Sequence, residues 1–149
     1  MKRHPRFGSS AACDCRVCVS MCKRNPCWPT PKEAQAISDV GFGKRLMADW
    51  WEEPGDSRTL ILCPASVGHE GKMAPEMPLL ANLTASWSKG RCTFLTKAGR
   101  CELHDRGLKP LEGRVMHHKS TVDDSTAVRA HIVSLWRRTQ NHPRLARNA

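Results

Sequence analysis

Five cysteines fall within fifteen residues, in the pattern Cys13-x-Cys15-x2-Cys18-x3-Cys22-x4-Cys27. Thiolates this close along a chain can meet around one cation without closing a long loop, so the entropic cost of gathering them is small. Cys15-x2-Cys18 has the spacing of a zinc knuckle, and Cys18-x3-Cys22 has the spacing of one helical turn. Three more cysteines follow at Cys63, Cys92 and Cys101. Five plus three does not divide into two independent four-cysteine sites. Either an early cysteine joins the late three, or a histidine completes them. His104 stands three residues after Cys101, His69 is a further candidate, and the His117-His118 pair lies behind them. In each case the metal joins distant parts of the chain and organises the fold, with a free energy of roughly 10 kcal/mol per structural site.

Cross-links in such a cluster are either metal–thiolate bonds or disulfides. The N-terminus Met1-Lys2-Arg3-His4-Pro5-Arg6 carries positive charge but no apolar stretch behind it, so it does not read as a secretory signal. No apolar run reaches the roughly eighteen residues of a membrane span. These features predict a cytoplasmic chain, and in a reducing compartment clustered cysteines hold metal more often than each other. Disulfides stay as the alternative. Zinc, as one or two ions, and an iron–sulfur cluster both accept four thiolates, and the spacing settles neither; we place zinc first. All-thiolate zinc sites are usually closed and structural, which points away from an enzyme. Glu52, Glu53, Glu70 and Glu112 are accordingly expected to be surface charges.

At 149 residues, with ten Pro, ten Gly, three Phe and no Tyr, the chain fits one loop-rich domain with a modest core. The fold class expected is small α+β: a metal-stapled domain with short helices, a β-hairpin and a C-terminal amphipathic helix. Residues 1–12 read as a flexible basic arm, 13–120 as the cysteine-cluster domain, 121–140 as the C-terminal helix and 141–149 as a basic tail. Thr30-Pro31-Lys32-Glu33 is a helix start, with Thr30 as N-cap, Pro31 in the first turn and Glu33 closing a capping box. Ala34, Ile37 and Val40 continue it, and Gly41 or Gly43 ends it. Leu46, Met47, Trp50 and Trp51 predict a second helix over 44–51, its tryptophans in the core. Residues 59–63 read as a buried strand and 64–90 as irregular chain. Cys92-Thr93-Phe94-Leu95 and Arg100-Cys101-Glu102-Leu103-His104, joined by Thr96-Lys97-Ala98-Gly99, predict the hairpin. Ser120 paired with Asp123 is the expected cap of the last helix, with Val128, Ile132, Leu135 and Trp136 on one face and an end at His142-Pro143.

The formal net charge is +10, from 24 Lys+Arg against 14 Asp+Glu. Six basic residues and one acid occupy the first 28 positions, and five arginines with no acid occupy 129–149. Part of this excess offsets the negative charge of metal-bound thiolates. Arg129, Arg137, Arg138, Arg144 and Arg147 are far from any cysteine in sequence. They are the expected contacts for a polyanion, nucleic acid, or a protein assembly partner.

The order of the motifs (early cysteine cluster, acidic helix start, isolated Cys63, then Cys92-Thr93-Phe94-Leu95 and Gly99-Arg100-Cys101-Glu102-Leu103-His104) resembles the YkgJ-type cysteine-cluster proteins. The resemblance covers about residues 13–118. It implies a zinc- or iron-chelating domain of a bacterial or phage-infected cell, with Cys15, Cys18, Cys22, Cys63, Cys92 and Cys101 as ligands. The chain departs from that family in lacking adjacent cysteines in the first cluster, and in having no cysteine across Gly107-Leu108-Lys109-Pro110-Leu111-Glu112-Gly113-Arg114. Cys13, Cys27 or a histidine then stands in. Together these readings predict a metal-binding structural or interaction module, with an iron–sulfur protein of electron transfer or redox maturation as the alternative.

Overall fold

The computed structural model describes residues 15–51, 59–74, 90–116 and 120–140. Within them the chain is a small α+β fold: α1 (Arg16–Arg24), α2 (Pro31–Ile37), β1 (Leu46–Trp51), β2 (Thr59–Pro64), α3 (Glu102–Asp105), α4 (Leu111–Val115) and α5 (Val122–Gln140).

Helix α1 starts at Cys15, carries Lys23 and Arg24 in its last turn where the helix dipole favours cations, and gives way to extended chain at Asn25, the residue before Pro26. Helix α2 has the capping box its sequence announces: the Thr30 side chain accepts from the Glu33 N–H while Glu33 accepts from the Thr30 N–H, at 3.3 and 2.9 Å. A π-turn over Ser38–Phe42 then closes on Gly41, whose φ of 95° suits glycine.

The second helix expected over 44–51 is instead a strand. Leu46–Trp51 pairs antiparallel with Thr59–Pro64, in register from Leu46 opposite Pro64 to Trp51 opposite Thr59. A short apolar run has no decisive period, and the neighbouring β2 needs a partner for its backbone groups. Trp50 is buried and Trp51 packs on the core, in edge contact with Trp28 at 5.9 Å between centroids. The expected hairpin also takes another form. Leu95 and Cys101 make a single bridge across the turn, Cys92 bridges to Ser66, and 102–105 is a helical turn. The 65–67 segment occupies the edge that a second hairpin strand would have used, and Leu103 turns inward beside Phe94 and Ile37.

Helix α5 packs on β2 and α4, so it completes the core of this body. Val128, Ile132, Val133 and Trp136 bury their side chains with Trp28, Met47 and Ile61, while Leu135 stays half-buried. Its cap lies one residue later than expected: the Thr121 N–H donates to Asp124 at 2.8 Å and the Asp124 N–H to the Thr121 hydroxyl at 3.2 Å. At its far end the Gln140 amide donates to the Leu60 carbonyl at 2.6 Å and accepts from the Leu60 N–H at 3.3 Å, so the side chain occupies the edge of β2. The end expected at His142-Pro143 lies outside the described residues.

Candidate metal centre

Three stretches of chain bring cysteines together. Helix α1 places Cys18 and Cys22 one turn apart on a single face. The extended segment after it places Cys27. The loop from 91 to 101 brings Cys92 and Cys101, and it is fastened to α1 by backbone. The Cys92 N–H donates to the Cys22 carbonyl at 2.9 Å, and the Gly90 N–H to the Arg24 carbonyl at 2.7 Å. These five cysteines line one cavity of about 230 Å³. Cys63 lies behind the wall on β2, fully buried among apolar neighbours. Cys15 is the N-cap of α1 and does not line the cavity. Cys13 lies outside the described residues.

Cys22, Cys27, Cys63, Cys92 and Cys101 are free thiols, not disulfides. Burial pushes the Cys22 thiol up, with Cys101 adding to the effect and Lys109 opposing it. Cys27 is pushed well up by burial, then by Cys22, Cys92, Cys101 and Glu112. Burial takes Cys92 up to about 12, against the Phe94 N–H and with Cys22 and Cys101 adding. Without a cation Cys22, Cys27 and Cys92 therefore keep their protons at neutral pH, with Cys101 adding to the upward shift of all three.

The wall carries its own charges. Lys109 stands beside Cys22. Glu112, expected on the surface, is buried: it accepts from the Trp28 N–H at 3.1 Å and pairs with Arg129. Arg129 in turn lies over the Trp28 ring at 4.3 Å and borders the cavity. Its guanidinium is thus mostly buried, and its described partners are Glu112 and the Trp28 ring. Nothing local in the sequence marks this pair, because its partners come from α4 and α5. Gly113 also shapes the site. A Cβ there would stand 2.9 Å from the Cys27 Sγ, so the glycine leaves room for that sulfur.

The expected histidines stand apart. His69 contacts the Ser66 hydroxyl at 3.1 Å. His104 on α3 does not line the cavity, and burial holds its imidazole below the usual range. His117 and His118 lie outside the described residues, as do Arg144 and Arg147. Arg138 is exposed on α5, and Arg137 is half-buried there beside Thr59.

The cysteines surround a void and do not yet meet at a point. Among the described residues no three His, Cys, Asp or Glu side chains are arranged to hold an ion as they stand. The donor chemistry nevertheless suits a soft metal: thiols with three cations on the wall, Arg24, Lys109 and Arg129, the last shared with Glu112. No family model, curated protein or solved structure matches the chain. Among the described residues no helix is long and apolar enough to cross a membrane.

Proposed function

We propose that the chain is a thiolate metal-binding module, non-enzymatic, whose centre is the cavity between α1, Cys27 and the 91–101 loop. The observation that carries this reading is the convergence of Cys18, Cys22, Cys27, Cys92 and Cys101, early and late in sequence, on one cavity. Core packing alone has little reason to gather five thiols, since each is a small hydrophobe replaceable by Ala or Val. The resemblance to the YkgJ-type proteins leads to the same reading from motif order alone.

Zinc, as one or two ions, is the first reading. Bound there, it supplies a structural cross-link. The chain's own part is to present Cys22 and Cys92 on a shared backbone hydrogen bond, to turn Cys27 inward past Gly113, and to offset anionic charge with Lys109 and Arg129. An iron–sulfur cluster is the second reading, since the same five cysteines offer the four thiolates that either group takes.

Elemental analysis and the visible spectrum of freshly purified protein test both. Zinc in stoichiometric amount with no colour supports the first, and iron with inorganic sulfide and broad visible absorption supports the second. Cys22→Ser and Cys92→Ser are expected to lose the metal, while Cys15→Ser retains it. Protein that purifies without metal, and takes up none after reduction, ends the proposal.

A further inference from the structure

Helix α1 has two working faces. Cys18 and Cys22 face the cysteine cavity, while Arg16, Ser20 and Lys23 recur at i, i+4 and i+7 on another side. That side forms one wall of an open cleft of about 620 Å³, whose other wall is the turn after Cys92. Arg91, Thr96 and Lys97 line this second wall. Val19, Leu95 and Gly99 border both the cleft and the cysteine cavity, so the two lie back to back. Among the described residues no acidic side chain lines the cleft.

The cleft's residues are placed by structure independent of any ligand. Arg91 donates to the Leu95 and Thr96 carbonyls at 3.1 and 3.0 Å, which holds the turn in shape. The turn closes through the Gly99 N–H to the Thr96 carbonyl at 3.0 Å, and Gly99 adopts the positive φ of 78° that this requires. Arg16, Lys23 and Lys97 are exposed. Cations without neighbouring carboxylates, flanked by hydroxyls, are the side chains that contact phosphate and sugar.

From this geometry we infer that the cleft between α1 and the 96–99 turn binds the phosphodiester backbone of double-stranded nucleic acid. Arg16 and Lys23 are separated by two helical turns, roughly 10 Å, so the two side chains can reach different phosphates of one backbone. Single-strand binding relies on aromatic platforms on which bases stack. Among the described residues none lines this cleft, so its chemistry reads the backbone of a duplex and not unstacked bases. On this inference the partner surface is on α1, and the exposed Arg138 of α5 is the comparison.

Fluorescence anisotropy with the full chain tests this, using a short mixed-sequence DNA duplex and an oligothymidine of equal length between about 50 and 200 mM salt. Wild type is expected to prefer the duplex. Lys23→Glu combined with Lys97→Glu is expected to weaken duplex binding at least about tenfold and to flatten the salt slope by about two contacts, roughly 0.9 each. Both side chains are exposed and only the helix-end charge at Lys23 is lost, so thermal melting of the double variant should stay within a few degrees of wild type. Arg138→Glu on α5 should leave affinity nearly unchanged. Equal or stronger oligothymidine binding, an unaffected double variant, or an equal loss in Arg138→Glu each overturns the inference. Titrating zinc-loaded and chelator-treated protein in parallel separates it from the metal reading, because the cleft assay is scored by variant against wild type within each state.

Discussion

At the scale of single residues, Gly113 is the most informative position because two physical effects there oppose each other. It lies inside α4 with an ordinary helical backbone, where alanine is favoured over glycine by about 1 kcal/mol. The added Cβ would stand 2.9 Å from the Cys27 Sγ and 3.0 Å from the Lys109 Cε. The lysine can swing away; the cysteine sulfur has a single torsion and would be displaced. Gly113→Ala is therefore expected to change metal-free stability by no more than about 1 kcal/mol while lowering metal affinity at least about tenfold. Competition against a calibrated chelator reads the affinity, and an unchanged value would remove Cys27 from the ligand set. Nothing in the sequence announces this role. The glycine is three residues after Pro110 and looks like a loop residue, and its importance depends on a sulfur 86 positions earlier (113 minus 27). Glu112 was illegible for the same reason: a carboxylate reads as surface until Arg129, on another helix, is seen to neutralise it.

Among elements, the junction of α2 with α4 turns on Glu33. Its carboxylate accepts from the Thr30 N–H at 2.9 Å, the Leu111 N–H at 3.1 Å and Arg114 at 2.8 Å. One side chain thus caps its own helix and fastens the start of another, which forms part of the cavity wall. Thr30→Ala removes the cap alone and is expected to cost about 1 kcal/mol. Glu33→Ala removes the cap, takes the acceptor from the Leu111 N–H and breaks the ion pair to Arg114, so about 2–3 kcal/mol is expected in urea unfolding. If Glu33→Ala costs no more than Thr30→Ala, the link to α4 contributes nothing. The capping box was legible because all its parts lie within four residues. Strand β1 was not, since Leu46, Met47, Trp50 and Trp51 satisfy a helical and a strand pattern about equally and the choice is made by β2. A two-stranded hairpin is present, but at β1 and β2; the one expected over 92–104 is a single Leu95–Cys101 bridge, as Cys92 pairs with Ser66 from a distant segment. Helix α5 was legible in its apolar stripe and missed its cap by one residue, because Ser120 and Thr121 are both competent caps.

For the whole molecule, the five-plus-three division of cysteines already implied that early and late chain meet. What counting could not supply was the identity of the meeting set: Cys15 and His104 fall away from the cavity, and Cys27 enters it. On the proposed metal reading, this convergence makes stability depend on pH with opposite signs in the metal-free and metal-loaded protein. In the metal-free chain burial raises the thiols of Cys22, Cys27 and Cys92 above the roughly 8.5 of an unfolded cysteine, Cys92 to about 12. Their contribution to stability is full below about 8.5 and is lost as pH rises toward the folded values, because the unfolded chain then releases protons the folded one keeps. In the metal-loaded chain the ligands carry no proton, so the unfolded chain binds more protons than the folded one. Stability then rises with pH up to about 8.5, by about 1.4 kcal/mol per pH unit for each ligand thiol. The comparison belongs between about pH 7 and 10, since His104, lowered by burial, and Glu102, lowered by Arg45, titrate below that window and act on both states alike. Urea unfolding across the window should show the loaded protein gaining stability from about pH 7 to 8.5 and the chelated protein losing it above. Two curves that run parallel throughout would mean that the thiols keep their protons in both preparations, and the cavity would then be an apolar void lined by sulfur.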